Sequence, residues 1–309
     1  MTLSPRLLSP KDVLSQVAHA LPEACRNEVI IIGSLAAGYY FFAEDGDKAI
    51  RTKDVDCMFS PHAKAVAAAV HVTEELLAAQ WQQRQGTDWS EPGKPEDPTD
   101  KLPMVRLNPP EGTDWFVELL GAPDVWVPGA PMKQFNRVTT SVGDFAICSF
   151  GFLGLAEHGP VMTPYGIRIA RPEMMALANM LHHPEIGIEL ISGTSMKRSN
   201  KDLGRVLALT YLTVARDRKV GSNDFEQWPH AMWEALQSKF PAASADLARR
   251  AGQGVRALLA SPEDLDQALA IANMGLLASL DVNRNAFSAT GRRLISEVIE
   301  PLAELSRVQ

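Results

Sequence analysis

Residues 29–59 read VIIIGSLAAGYYFFAEDGDKAIRTKDVDCMF, and this stretch decides the fold. Val29-Ile30-Ile31-Ile32 is a continuous β-branched run that stops at Gly33, the pattern of a buried strand. Residues 35–43, LAAGYYFFA, are too long and too rich in alanine for a second buried strand, so they are expected to form a helix. The polar turn Glu44-Asp45-Gly46-Asp47 closes it. Val55 to Phe59 alternates acid and apolar residues and is expected to be a second strand. A strand that runs directly into a helix and is followed by another strand points to an α/β fold.

Upstream, Ser9-Pro10 precedes Val13, Val17 and Leu21, the spacing of an amphipathic opening helix. Downstream, Ser60-Pro61 is expected to be a hydroxyl cap with proline in the first helical position. The helix it opens carries Val66, Val70, Leu77 and Trp81 on one face. Residues 86–101 hold three prolines and seven charges and read as a solvated loop or insertion. Met104–Leu107 and Trp115–Leu120 flank the turn signal Asn108-Pro-Pro-Glu-Gly112 and predict a β-hairpin. From about Pro172 the periodicity becomes helical. Met174, Leu177, Ala178 and Leu181 make one face, and Leu203, Leu207, Thr210, Tyr211 and Val214 another, opened by Ser199-Asn200 as caps. Further helices are expected over roughly 224–239, 242–259, 262–279 and 288–306. The organisation read from the chain is an α/β (α+β) domain over 1–170 and a helical domain over 171–309.

The whole chain has 309 residues, 46% of them hydrophobic, and a formal charge of −7. That apolar fraction excludes wholesale disorder. The acidic total argues against a general coat for phosphate backbones, so any polyanion must be met by a local basic patch. Cys25, Cys57 and Cys148 are too few and too scattered for a disulfide framework or a zinc site. No run of 18 apolar residues predicts a membrane span, and MTLSPRLLSPKDVL lacks the apolar region of a secretory signal. The expectation is a cytoplasmic protein with no membrane partner.

Chemistry concentrates in the same stretch. Residues two apart on a strand share a face, so Asp54 and Asp56 project together. Adjacent carboxylates repel unless a cation lies between them, and Mg²⁺, with its preference for oxygen, suits such a pair. Gly33-Ser34 opens a helix whose free N–H groups and positive dipole end favour a phosphate. A phosphate holder beside metal-binding carboxylates is the minimum requirement for nucleotidyl transfer.

The order Gly33-Ser34, then Asp54-x-Asp56, then Glu118 within FVELL resembles the nucleotidyltransferase superfamily related to DNA polymerase β. The resemblance implies a mixed sheet flanked by helices, two Mg²⁺ ions bound by Asp54 and Asp56, and Glu118 completing the site as metal ligand or base. Asp114 competes with Glu118 for that third place. Met196-Lys197-Arg198-Ser199-Asn200-Lys201-Asp202-Leu203 is similar to the Lys-Asp-Leu region of AbiEii-like toxins within that superfamily. Where those toxins place a lysine on the preceding helix, this chain has Asn179 and Met180. The implied reaction moves a nucleoside monophosphate from an NTP to RNA, tRNA included, or to a small-molecule acceptor. An antitoxin partner is implied with it. The rival expectation is a non-catalytic nucleotide- or partner-binding protein with the same fold.

Around these residues, Arg51 and Lys53 are further phosphate candidates or plain loop charges. Lys197, Arg198, Lys201 and Arg205 belong to the densest basic segment and read equally as a triphosphate or RNA contact and as an exposed first turn. Adjacent His182 and His183 point about 100° apart on a helix and cannot chelate one ion together. Tyr39-Tyr40-Phe41-Phe42 is expected to be core rather than a base-stacking platform.

Overall fold

A computed structural model describes residues 7–45, 49–85, 91–110, 113, 115–124, 133–186, 189–191 and 193–307. The chain is mixed α/β, with a mixed sheet flanked by helices and a helical C-terminal part. It separates into two compact units, one of Met1–Tyr39 and Arg51–Ala170, the other of Tyr40–Ile50 and Arg171–Gln309.

In the first unit, helix α1 (Pro10–Ala20) forms where the sequence predicts an opening helix, and Ser9 caps it, Oγ accepting from the Asp12 N–H. A short α2 (Glu23–Arg26) leads into β1 (Val29–Ile32), all four residues of which are buried. Each of those side chains stabilises the core by roughly 1.5–3 kcal/mol. Helix α3 (Gly33–Phe42) follows without a loop. Strand β2 (Asp54–Phe59) runs antiparallel to β1, and α4 (His62–Ala78) comes next. The remaining strands are β3 (Gln82–Gln83), β4 (Arg106–Asn108), β5 (Phe116–Gly121), β6 (Lys133–Thr140), β7 (Gly143–Phe150), β8 (Val161–Met162) and β9 (Arg168–Ile169).

The sheet order is β3-β4-β5-β2-β1-β9-β8. Strand β7 joins β5 near its end and pairs along its length with β6. β2–β5 and β1–β9 are parallel, whereas β4–β5 and β3–β4 are antiparallel. The β4–β5 pair is the hairpin expected around Asn108–Gly112.

Which face the carboxylates occupy follows from register. Phe59 stands opposite Gly121, and a Cβ built on Gly121 would lie 3.8 Å from the Ala65 Cβ of α4. Helix α4 therefore covers the face of Val55, Cys57, Phe59, Val117 and Leu119. Asp54, Asp56 and Glu118 lie on the other.

Two capping expectations fail. The Ser60 hydroxyl donates to Glu157 rather than capping α4, whose first turn has no side-chain cap. Residues 92–102 are tied down rather than freely solvated: Gly93 bridges Asp144, and Arg137 donates to the carbonyls of Lys94 and Asp97 while pairing with buried Asp144. A buried carboxylate demands that partner, and the arginine's remaining donors collect the loop. Residues 86–90 lie outside the described residues.

The second unit contains α5 (Pro172–Ile186), α6 (Arg198–Val220), α7 (Asp224–Lys239), α8 (Ser244–Arg250), α9 (Gln253–Ala260), α10 (Pro262–Met274), α11 (Arg284–Leu294) and α12 (Glu300–Leu305). The single helix expected over 242–259 is two, separated at Ala251-Gly252, and the last one contains a π-turn at Ile295–Ile299. Asn200 does not cap α6; it donates to Asp264 and Gln267 on α10.

Candidate functional site

Gly33 sits where β1 becomes α3, with φ +72°. That left-handed conformation favours glycine. A second reason lies across the turn: a Cβ at Gly33 would fall 2.4 Å from Asp56 Oδ2. The Asp56 carboxylate thus leans over the start of α3, where half-buried Ser34 stands. β1 delivers this arrangement by pairing Ile32 with Asp56.

Asp54 is anchored differently. The buried Thr52 hydroxyl lies 2.9 Å from Asp54 Oδ1 and 3.0 Å from its backbone oxygen, donating to this pair of acceptors. Glu118 stands directly opposite Asp56 on the parallel neighbour β5. Neighbouring strands lie ~4.8 Å apart, so three carboxylates from two strands share one small area of a single face. Asp114 falls outside the described residues.

The structure adds two arginines that sequence reasoning missed. Arg106 stands opposite Glu118 on β4, and its Nη2 meets Glu118 Oε1 at 2.9 Å. One strand further, the Arg84 N–H donates to the Arg106 carbonyl at 2.9 Å, and the Arg84 guanidinium lies 3.8 Å over the Phe116 ring. Burial pulls the Arg84 guanidinium below its usual range, and Arg106 pulls it the same way. Asp54 and Glu118 oppose them. A row therefore crosses the sheet as Arg84, Arg106, Glu118, Asp56 and the Ile32–Gly33 turn. Nothing in MVRL or QQRQ announces it, because only strand register aligns those residues.

With Glu118 turned to Arg106, no three His, Cys, Asp or Glu side chains among the described residues are grouped to hold a metal ion. Asp54 and Asp56 still present hard oxygen donors from one face beside a helix start. This chemistry fits a hydrated Mg²⁺, which needs only one or two carboxylates.

Arg51 and Lys53 lie directly before β2. The Lys53 carbonyl accepts from the Phe116 N–H at 2.9 Å, extending the β2–β5 pairing, and its side chain is exposed. Tyr39 packs edge-on to Tyr165 in the first unit, and Phe42 is buried. In the second unit, Arg216 lies 4.5 Å over the Tyr40 ring.

The basic segment belongs to the second unit, and most of it is engaged there. Lys197 Nζ meets Asp264 at 2.8 Å, and this hydrogen bond raises the Lys197 ammonium above its ordinary value. Arg198 pairs with Glu189 at 3.0 Å. Asp202 Oδ2 stands 3.3 Å from His182 Nδ1. Among the described residues Lys201 and Arg205 have no ion-pair partner, and both are half-buried. The structure thus brings Gly33, Ser34, Asp54, Asp56 and Glu118 together in the first unit, while Lys197, Arg198 and Lys201 form their own cluster on α6. No protein-family model, curated protein or solved structure matches the chain.

Proposed function

We propose that the protein is a Mg²⁺-dependent nucleotidyltransferase of the fold related to DNA polymerase β, acting from an NTP on an RNA or small-molecule acceptor. One observation carries the reading: the Asp56 carboxylate overlies a glycine turn at a helix start, with Asp54 on its face and Glu118 in register beside it. The helix start and Ser34 would receive the triphosphate, and glycine is what lets a phosphate approach this backbone. Asp54 and Asp56 would hold Mg²⁺. The metal, when bound, offsets charge on the triphosphate and on the departing pyrophosphate. The acceptor oxygen attacks the α-phosphorus, the bond to the β-phosphate oxygen breaks, and pyrophosphate leaves. Glu118, once released from Arg106, would either accept the acceptor's proton or complete the ligand set for a second ion. In the second unit, considered by itself, Lys201 and Arg205 offer positive charge to a polyanion, and a toxin role with an antitoxin partner belongs to the same reading.

The Arg106–Glu118 ion pair favours a second reading, a non-catalytic nucleotide- or partner-binding protein that keeps this fold. Each α-labelled NTP, incubated with Mg²⁺ and either total RNA or a metabolite pool, separates the two. Transfer of label that vanishes in Asp56→Ala supports the enzyme. Tight binding of Mg²⁺-NTP with no transfer to any acceptor supports the second reading.

A further inference from the structure

A pocket of about 180 Å³ lies at the β3–β4 end of the carboxylate row, lined by Arg84, Arg106, Asp100, Leu102, Met104 and Phe135, with Gln83 beside them. We propose that it binds a small molecule whose anionic head, a phosphate monoester or a carboxylate, is held by Arg84 and Arg106. The assignment goes beyond the transfer reading and does not rest on it.

Hydrogen-bond accounting gives the first reason. Of the Arg106 donors only Nη2 is matched among the described residues, to Glu118, and Nε is buried without a partner. Arg84 makes no ion pair among the described residues and rests instead on the Phe116 ring. Buried guanidinium donors left unpaired are costly, and a planar fork of donors matches a carboxylate or phosphate.

Charge gives the second. Arg106 lies close enough to disfavour the charge on Arg84, and Lys133 Nζ stands 6.0 Å over the Phe135 ring that lines the pocket. Glu118 pairs directly with Arg106, and Asp54 and Glu118 also act on Arg84. The lining itself sets two guanidiniums, Arg84 and Arg106, against the single carboxylate of the exposed Asp100. Asp100 and the buried, unpaired Gln83 Oε1 are acceptors, so the rest of the ligand carries a donor such as a hydroxyl or ammonium. Leu102, Met104 and Phe135 supply an apolar wall.

Inorganic phosphate and malate, titrated calorimetrically at matched ionic strength against a chloride control, test the assignment. Saturable binding of one site is expected. Phosphate binding without malate assigns the phosphate class, and the reverse assigns the carboxylate class. Arg84→Gln is expected to weaken binding at least tenfold. Arg84→Lys, which keeps the charge without the fork, is expected to weaken it several-fold and decides the matter if the glutamine variant does not fold. Exposed Arg292→Gln is expected to bind as the parent does. Asp56→Ala is expected to retain the anion even if it loses Mg²⁺-NTP, so failure here and failure of the transfer reading are separate results. No saturable binding of either anion, or unchanged affinity in the folded Arg84 variants, overturns the proposal.

Discussion

Replacing Gly33 with alanine probes the close approach on which the candidate site is built. Two costs are expected to add. An L-residue held at φ +72° loses about 1–2 kcal/mol. The new Cβ would also lie 2.4 Å from Asp56 Oδ2, about 1 Å inside ordinary contact. Asp56 must then move, and overpacking of that kind costs about 1–3 kcal/mol. The sum is roughly 2–5 kcal/mol. The second cost depends on the carboxylate, because the Asp56 Cβ would lie at 3.9 Å, an ordinary contact. In an Asp56→Ala background, Gly33→Ala is therefore expected to cost only the backbone part, leaving a coupling energy of about 1–3 kcal/mol. Gly33→Asn separates the parts from the other side, since asparagine tolerates the left-handed backbone but keeps the clash. Hydrogen exchange of the Ile30, Ile31 and Ile32 amides reads the loss within the first unit, where β1 pairs with β2. Additive costs for the two substitutions within ~0.5 kcal/mol, or an unchanged exchange rate in Gly33→Ala, would refute the reasoning.

Other outcomes follow from the second unit. A Cβ on Gly254 of α9 would meet His183 Nε2 at 1.8 Å, so Gly254→Ala is expected to lower the thermal midpoint by displacing the ring from α5. The cost is about 1–3 kcal/mol, and His183→Ala in the same chain is expected to recover most of it. His183 also predicts a pH dependence. Burial lowers its imidazole below the usual 6.5, Asp202 opposing and His182 adding to the effect. Since the unfolded chain binds the proton more readily, stability is full above 6.5 and declines as pH falls from there towards the depressed folded value. Denaturation midpoints in His183→Gln are expected to lose that slope; an identical slope in the variant removes His183 as its source.

How much was legible in the sequence varies by element. VIII at 29–32 is a buried strand because four β-branched side chains leave no polar face, and the structure buries all four. Gly33 marks the turn for a reason visible in the residue itself, its tolerance of positive φ. Asp54 and Asp56 share a face by strand geometry alone. Ser9 and Ser261, each a hydroxyl before proline, cap their helices. Ser60 does not, because a distant glutamate, Glu157, competes for its hydroxyl. The β6–β7 hairpin escaped notice because its outer strand alternates weakly, with Arg137 and Asn136 among its residues. β7 buries six of its eight residues, and Arg137 pairs with Asp144 across the hairpin.

The sequence by itself determined some local matters: that 29–32 and 55–59 are strands with a helix between them, where the glycine turn lies, and that two carboxylates project together. Local sterics and side-chain period settle these within a few residues. Only the tertiary structure decided that Glu118 stands beside Asp56, that Arg106 holds it there, and that Arg84 completes the row. Those neighbours come from four strands whose order, β3-β4-β5-β2, departs from their order in the chain. Register between strands distant in sequence is set by the packing of the whole sheet, and a shift of one residue would send each of these charges to the opposite face.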